Sequence, residues 1–135
     1  MSIEARPARS TTVRTAYTYT NSDERTSVFA SGTVRSVRVS NHMWTGTATQ
    51  RIHRSVDLTF DFFAASDYLY GFGNRAFEFN GPAKADLAAI YTVNLSDRRA
   101  LQLFTRIENV FNRTYYEDGF RTPTAWAVLG MKLSF

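Results

Sequence analysis

His42 and His53 are the only imidazoles of the chain, and cysteine is absent. A protein metal site needs three or four well-spaced ligands. The two histidines fall on different strand or turn segments, so no metal ligand is assigned. Asp57 and Asp61 share one face of a predicted strand, four residues apart. At about 3.3 Å per residue that is ~13 Å, too far for a catalytic carboxylate pair. Neither a nucleophile elbow nor a phosphate-cradling loop occurs. No catalytic residue and no cofactor is therefore expected, and the chain is not read as an enzyme. Arg106, Glu108 and Asn109 invite a ligand reading. The structural reading is preferred. Arg106 and Glu108 lie two residues apart on one polar face, which suits a charge network with neighbouring strands. Asn109 stands where a strand gives way to a loop, and a short amide there can bond local backbone. The segment 67–79 mixes aromatics with Arg75. Such a mixture suits an anionic, ring-bearing solute, but interfacial packing explains it as well, and no binding residue is assigned there.

Elements must hold these residues in place, and the composition says which kind. Of 135 residues, 44% are hydrophobic and 15% aromatic, with eleven Phe, seven Tyr and two Trp. Phe, Tyr, Val and Thr favour pleated, half-buried strands. Mean hydropathy is −0.29, and no run approaches the roughly 18 apolar residues of a membrane helix. A membrane barrel stays open, because lumen-facing residues dilute the average. The net charge is +4, but the basic residues are dispersed, without the stripe or module that nucleic-acid binding needs.

Seven period-2 segments emerge, at 3–6, 11–20, 38–51, 55–65, 83–95, 100–111 and 124–135. The chain is predicted to be all-β, an antiparallel up-and-down meander of about seven long strands forming one unit over 1–135. Its connections alternate. Those at 7–10, 52–54 and 96–99 are tight, and those at 21–37, 66–82 and 112–123 are long. Membrane barrels alternate short periplasmic turns with longer outer loops. The predicted strands also match the roughly 9–11 residues a tilted spanning strand needs. Charge placement agrees. Leu58, Phe60 and Phe62 oppose Asp57 and Asp61, Leu87 opposes Asp86, and Leu101 and Leu103 oppose Arg106 and Glu108. The third segment has no clean face and cannot be oriented. Tyr17, Tyr19, Tyr68, Tyr70, Tyr115, Tyr116 and Trp126 crowd strand ends and loop bases, where interfacial girdles sit.

The chain ends Gly130-Met-Lys-Leu133-Ser-Phe135. This resembles the terminal strand by which bacterial outer-membrane proteins engage the barrel-assembly machinery, and it implies a folding role for Gly130, Leu133 and Phe135. Val128 departs from that pattern, which usually has a polar residue there. The run from Leu101 through Arg106, Glu108, Asn109, Phe111 and Asn112 to Tyr115 resembles the penultimate strand of TonB-dependent receptors. Residues 119–123 are similar to that family's approach to its last strand. Looser likenesses occur at 5–20 and 37–42. The resemblance implies an incomplete piece of a transmembrane barrel of about 22 strands, located in the bacterial outer membrane. It implies contact with outer-membrane lipid, energy from TonB through a plug absent from this sequence, and uptake of a siderophore or other scarce nutrient. Arg106 and Glu108 become a structural lumen network. The first residues carry no apolar export segment, so an internal start or a truncated frame is expected. The rival reading is a small β-barrel that binds an apolar ligand or serves as a structural module unrelated to transport.

Overall fold

Alternating Val, Phe, Thr and Tyr draw most of the chain into extended backbone. The computed structural model describes residues 1–21, 23–24, 34–35, 38–72, 75–96 and 99–135. The strands are β1 (Ser2–Ala8), β2 (Thr11–Tyr19), β3 (Asp23–Glu24), β4 (Val34–Arg35), β5 (His42–His53), β6 (Val56–Ala65) and β7 (Tyr68–Phe72). They continue with β8 (Arg75–Phe79), β9 (Ala83–Ser96), β10 (Arg99–Glu108), β11 (Tyr116–Glu117), β12 (Phe120–Arg121) and β13 (Trp126–Ser134). Seven of them form one antiparallel sheet in the order β1-β2-β5-β6-β9-β10-β13. The expected meander of about seven long strands is present. The three long connections carry small hairpins of their own, β3–β4, β7–β8 and β11–β12. All three arise at the same end of the sheet.

The register decides the faces. Tyr17 pairs with Trp44, Ala48 with Phe60, Phe60 with Leu87, and Leu103 with both Tyr91 and Met131. Directly paired residues point to the same side. The apolar sets of the separate strands therefore merge into one surface, running from Ile3 and Val13 through Leu58, Leu87 and Leu103 to Leu129. Apart from Arg99, which pairs with Ser96 across a register irregularity at the turn end of β10, no Asp, Glu, Lys or Arg occurs among the ladder residues of that side. Glu4, Arg14, Arg51, Asp57, Asp61, Lys84, Asp86, Arg106, Glu108 and Lys132 all share the other side.

The apolar surface has nothing packed on it. Leu103 is 43% exposed and Leu129 81%. Among the described residues, the buried apolar side chains are Tyr68, Pro82, Ala85 and Tyr115, and none is a large aliphatic. Soluble monomers seldom leave a contiguous apolar patch beyond a few hundred Å², and here the patch crosses seven strands.

Several boundaries differ from the sequence expectation. Pro7 does not end the first strand, because β1 is an edge strand with an irregular register between Ala5 and Ala8, and an edge tolerates a missing donor. β5 starts at His42 rather than 38, since Arg38 holds a left-handed φ of 64°. The same strand runs on to His53, shrinking the following turn to 54–55. β10 stops at Glu108 because Asn109 has φ 53°. The turn at 97–98 and most of the loop at 21–37 lie outside the described residues. Register also orients the segment that pattern left ambiguous. Trp44, Gly46 and Ala48 join the apolar face, while Thr45, Thr47 and Thr49 join the polar one.

Candidate functional site

Asp86 sits in β9 among small neighbours, Ala83, Ala85, Ala88 and Ala89. Of these only Ala88 shares the polar face with Asp86, and only 8% of the Asp86 side chain is exposed. Arg106 Nη2, from the adjacent β10, donates to Asp86 Oδ2 at 2.7 Å. The backbone N–H of Asn109 donates to Asp86 Oδ1 at 2.9 Å. Both carboxylate oxygens are thus engaged, as a buried charge requires. Arg106 Nε lies 3.2 Å from Glu108 Oε1, but the hydrogen-bond direction is not met, so that pair is Coulombic only. Asp61 stands directly across from Asp86 on β6. Two facing carboxylates repel. Thr47 Oγ1, donating to Asp61 Oδ1 at 2.8 Å, and the Arg106 guanidinium offset that repulsion.

Asn109 then closes the last long connection. Its amide nitrogen donates to the carbonyls of Arg113 at 2.8 Å and Pro123 at 3.3 Å. Its Oδ1 accepts the Arg113 N–H at 3.1 Å. Asn112, also left-handed at φ 51°, accepts the Ala125 N–H at 3.0 Å. Asparagine tolerates this backbone region better than most residues. The two amides fold the segment back toward the start of β13.

The rim above this network is aromatic. The Tyr68 hydroxyl donates to the Tyr116 carbonyl at 2.8 Å, and burial pushes that hydroxyl's pKa up, while a backbone hydrogen bond from Gly119 opposes the rise. The Phe79 ring centroid lies 5.8 Å from that of Tyr68 and 5.2 Å from that of Tyr116. Arg38 places its guanidinium 5.0 Å from the Tyr70 ring centre and 3.7 Å from Asp118. Gly81 is fixed at the base, since a Cβ there would lie 1.9 Å from the Ala65 carbonyl oxygen. On the apolar side of the same end, Tyr17, Tyr19, His42 and Trp44 form a second aromatic group. Its Tyr17 hydroxyl meets His42 Nδ1 at 2.8 Å.

The residues singled out from sequence are distributed as follows. Arg106 and Glu108 come together on the polar face, with Asp86 as a third member that the pattern alone did not single out. The available signal was a lone carboxylate in an alanine-rich strand, on the same face parity as Arg106. Gly130 shares that polar face, beneath Phe104, whereas Leu133 points to the apolar side opposite Leu101. Phe135 follows the strand end, 87% exposed. Asp57 and Asp61 share a face, and Asp57 accepts from Arg51 Nε at 2.8 Å. His42 and His53 stand at opposite ends of β5. Among the described residues no cluster of three or more His, Cys, Asp and Glu has metal-site geometry.

No protein-family model matches the chain, and no curated protein matches it at a significant level. The reading of the sheet therefore rests on its own chemistry. That chemistry is a charge network with its carboxylates engaged, an aromatic rim, and an uncharged exposed face behind them.

Proposed function

We propose that this chain is the C-terminal barrel segment of a TonB-dependent outer-membrane receptor. In that reading the intact receptor takes up a siderophore or similar scarce nutrient. The single observation that carries the proposal is the uncharged apolar face, continuous over seven strands and open to its surroundings. Hydrocarbon accepts such a face and water does not. An ionised side chain there costs roughly 2–4 kcal/mol near the bilayer midplane, and along the strand bodies none is present; Arg99 stands at the irregular turn end of its ladder. The polar face then lines the lumen, with Asp86, Arg106 and Glu108 bracing it. The long connections form the outer rim, where the two aromatic groups meet the interface.

Strand parity supports the same reading. Strands alternate in direction, so the first and seventh of the sheet run the same way. An antiparallel seam between them needs an odd number of further strands. Bacterial barrels are even-stranded, which fits a partial sheet completed by other strands of the same wall. Edges left open would be unstable in lipid, where each unpaired backbone group costs several kcal/mol.

Site-specific labelling tests the proposal, and the lack of native cysteine makes single-cysteine variants clean. Leu87→Cys, Leu103→Cys and Leu129→Cys, labelled with an environment-sensitive fluorophore in phospholipid vesicles, should be quenched by brominated acyl chains. Thr47→Cys, Gln102→Cys and Val128→Cys on the other face should not. Equal quenching of both sets, or none at all, rejects a lipid-facing sheet.

A further inference from the structure

A cavity of about 330 Å³ opens at the rim on the polar face, bounded by Met43, Phe63, Tyr68, Tyr116, Glu117 and Asp118, with Arg38 at its edge. Met43 and Phe63 belong to the polar side of β5 and β6, so the cavity opens on the proposed lumen side rather than toward lipid. Its volume is at the small end of ligand pockets. At ~30 Å³ per water it holds the equivalent of roughly eleven waters, room for one or two fused rings and not for a bulky chelate. Its floor is aromatic and thioether, which suits the face of a flat ring.

Charge decides the rest. The chain as a whole carries +4, yet among the described residues the ionised ones bordering this cavity are one guanidinium and two carboxylates. The guanidinium is engaged, over the Tyr70 ring and toward Asp118. Lys84, across the ladder from Phe63, carries its ammonium to the Tyr115 ring, 6.0 Å from its centre. Glu117 keeps its carboxylate exposed, without an ion pair among the described residues. Asp118 and Gly119, at φ 49° and 80°, form the two-residue turn between β11 and β12, an ordinary Asp-Gly hairpin turn that sets Glu117 and Asp118 at the border of the cavity.

We infer that this rim cavity is a binding site for a cationic, ring-bearing small molecule, the ring against Met43, Phe63 and Tyr116 and the positive charge toward Glu117 and Asp118. This rests on the receptor reading and deepens it. Aromatic faces attract cations, so ring and charge are recognised together.

Calorimetric titration of the full chain in phosphatidylcholine vesicles tests it with two probes of matched size, N-methylquinolinium and naphthalene-2-sulfonate. The cation should bind at least ten-fold tighter. The Glu117→Gln/Asp118→Asn double variant should lose most of that preference, and Asn keeps the left-handed backbone at 118 accessible. Equal affinities, a preference for the sulfonate, or no binding of either probe overturns the inference. The bromolipid measurement is made on the same samples. Intact insertion without cation preference rejects this site alone, whereas failed insertion rejects the receptor reading.

Discussion

The Phe104 ring occupies the space that a side chain on Gly130 would need: a Cβ there would come within 2.1 Å of Phe104 Cζ. The two residues are direct ladder partners in the last hairpin. Glycine weakens a strand interior unless something approaches it closely, and here an aromatic ring does. Gly130→Ala must displace that ring and should destabilise the folded sheet by about 1–3 kcal/mol, as overpacking does. In a Phe104→Ala background the same change should be nearly neutral. A double-mutant cycle on the urea-unfolding midpoint in detergent reads the coupling. Additive losses would show that the close approach carries no energy.

Asp86 yields a second expectation. Asp86→Ala leaves the Arg106 guanidinium and the Asn109 N–H without their acceptor. Losing a charged hydrogen bond leaves groups unsatisfied at a cost of about 2–3 kcal/mol, discounted here because Arg106 is partly exposed. Asp86→Asn should recover part of the loss, since its amide oxygen can still accept from Asn109. Arg106→Ala should cost as much or more, because it leaves Asp86 and Asp61 facing each other. Equilibrium unfolding of the three variants tests this ordering. Wild-type stability of Asp86→Ala would remove the network from any structural role.

Much of this fold was legible from alternation alone. Period-2 patterning named seven strands and the charged faces of five of them because each strand displays its own evidence. What failed was whatever depends on a partner strand. Asp61 opposite Asp86, and Phe104 over Gly130, follow from register, which turn geometry sets and local composition does not reveal. Boundaries failed where single backbone angles rule. Asn109 ends β10 through its positive φ, although Val110 and Phe111 continue the apolar pattern. Segment 38–51 could not be oriented because Met43 sits on the polar side and Gln50 on the apolar one. The small hairpins within the long connections, such as Tyr68–Phe72 with Arg75–Phe79, are packed by aromatic rings rather than by alternation, and the period-2 test passes over them. The rim cavity needs three such connections brought together, so no single stretch announces it.

Tyr68 gives the pH expectation. Burial raises its hydroxyl above the ordinary 10.0, so the folded rim binds this proton more tightly than the unfolded chain does. The stabilisation is complete below the unfolded pKa and is lost as pH rises through the folded one. Ionisation also removes the donor to the Tyr116 carbonyl. An absorbance titration at the phenolate band should show one of the seven tyrosines ionising late, and Tyr68→Phe should remove that late step. The same variant should lose about 1 kcal/mol at neutral pH, the worth of one hydrogen bond. A late step that persists in Tyr68→Phe assigns it to another tyrosine.

The sharpest contrast lies between adjacent residues of one strand. Gln102 and Leu103 are neighbours in β10 and point to opposite faces, with Lys132 beside the first and Met131 beside the second. A charge placed at Leu103 would enter the apolar surface, while the same charge at Gln102 would join Arg106 and Glu108. Leu103→Arg should therefore cost roughly 2–4 kcal/mol of folding free energy in vesicles, the value for a lipid-facing cation near the midplane. Gln102→Arg should cost no more than about 1 kcal/mol, since Lys132 opposite repels it and facing like charges cost that order. Zwitterionic detergent micelles, whose interface is thinner and more adaptable, should narrow the difference. If both substitutions cost the same in vesicles, the two faces do not meet different solvents, and the division of this sheet into lipid and lumen sides is wrong.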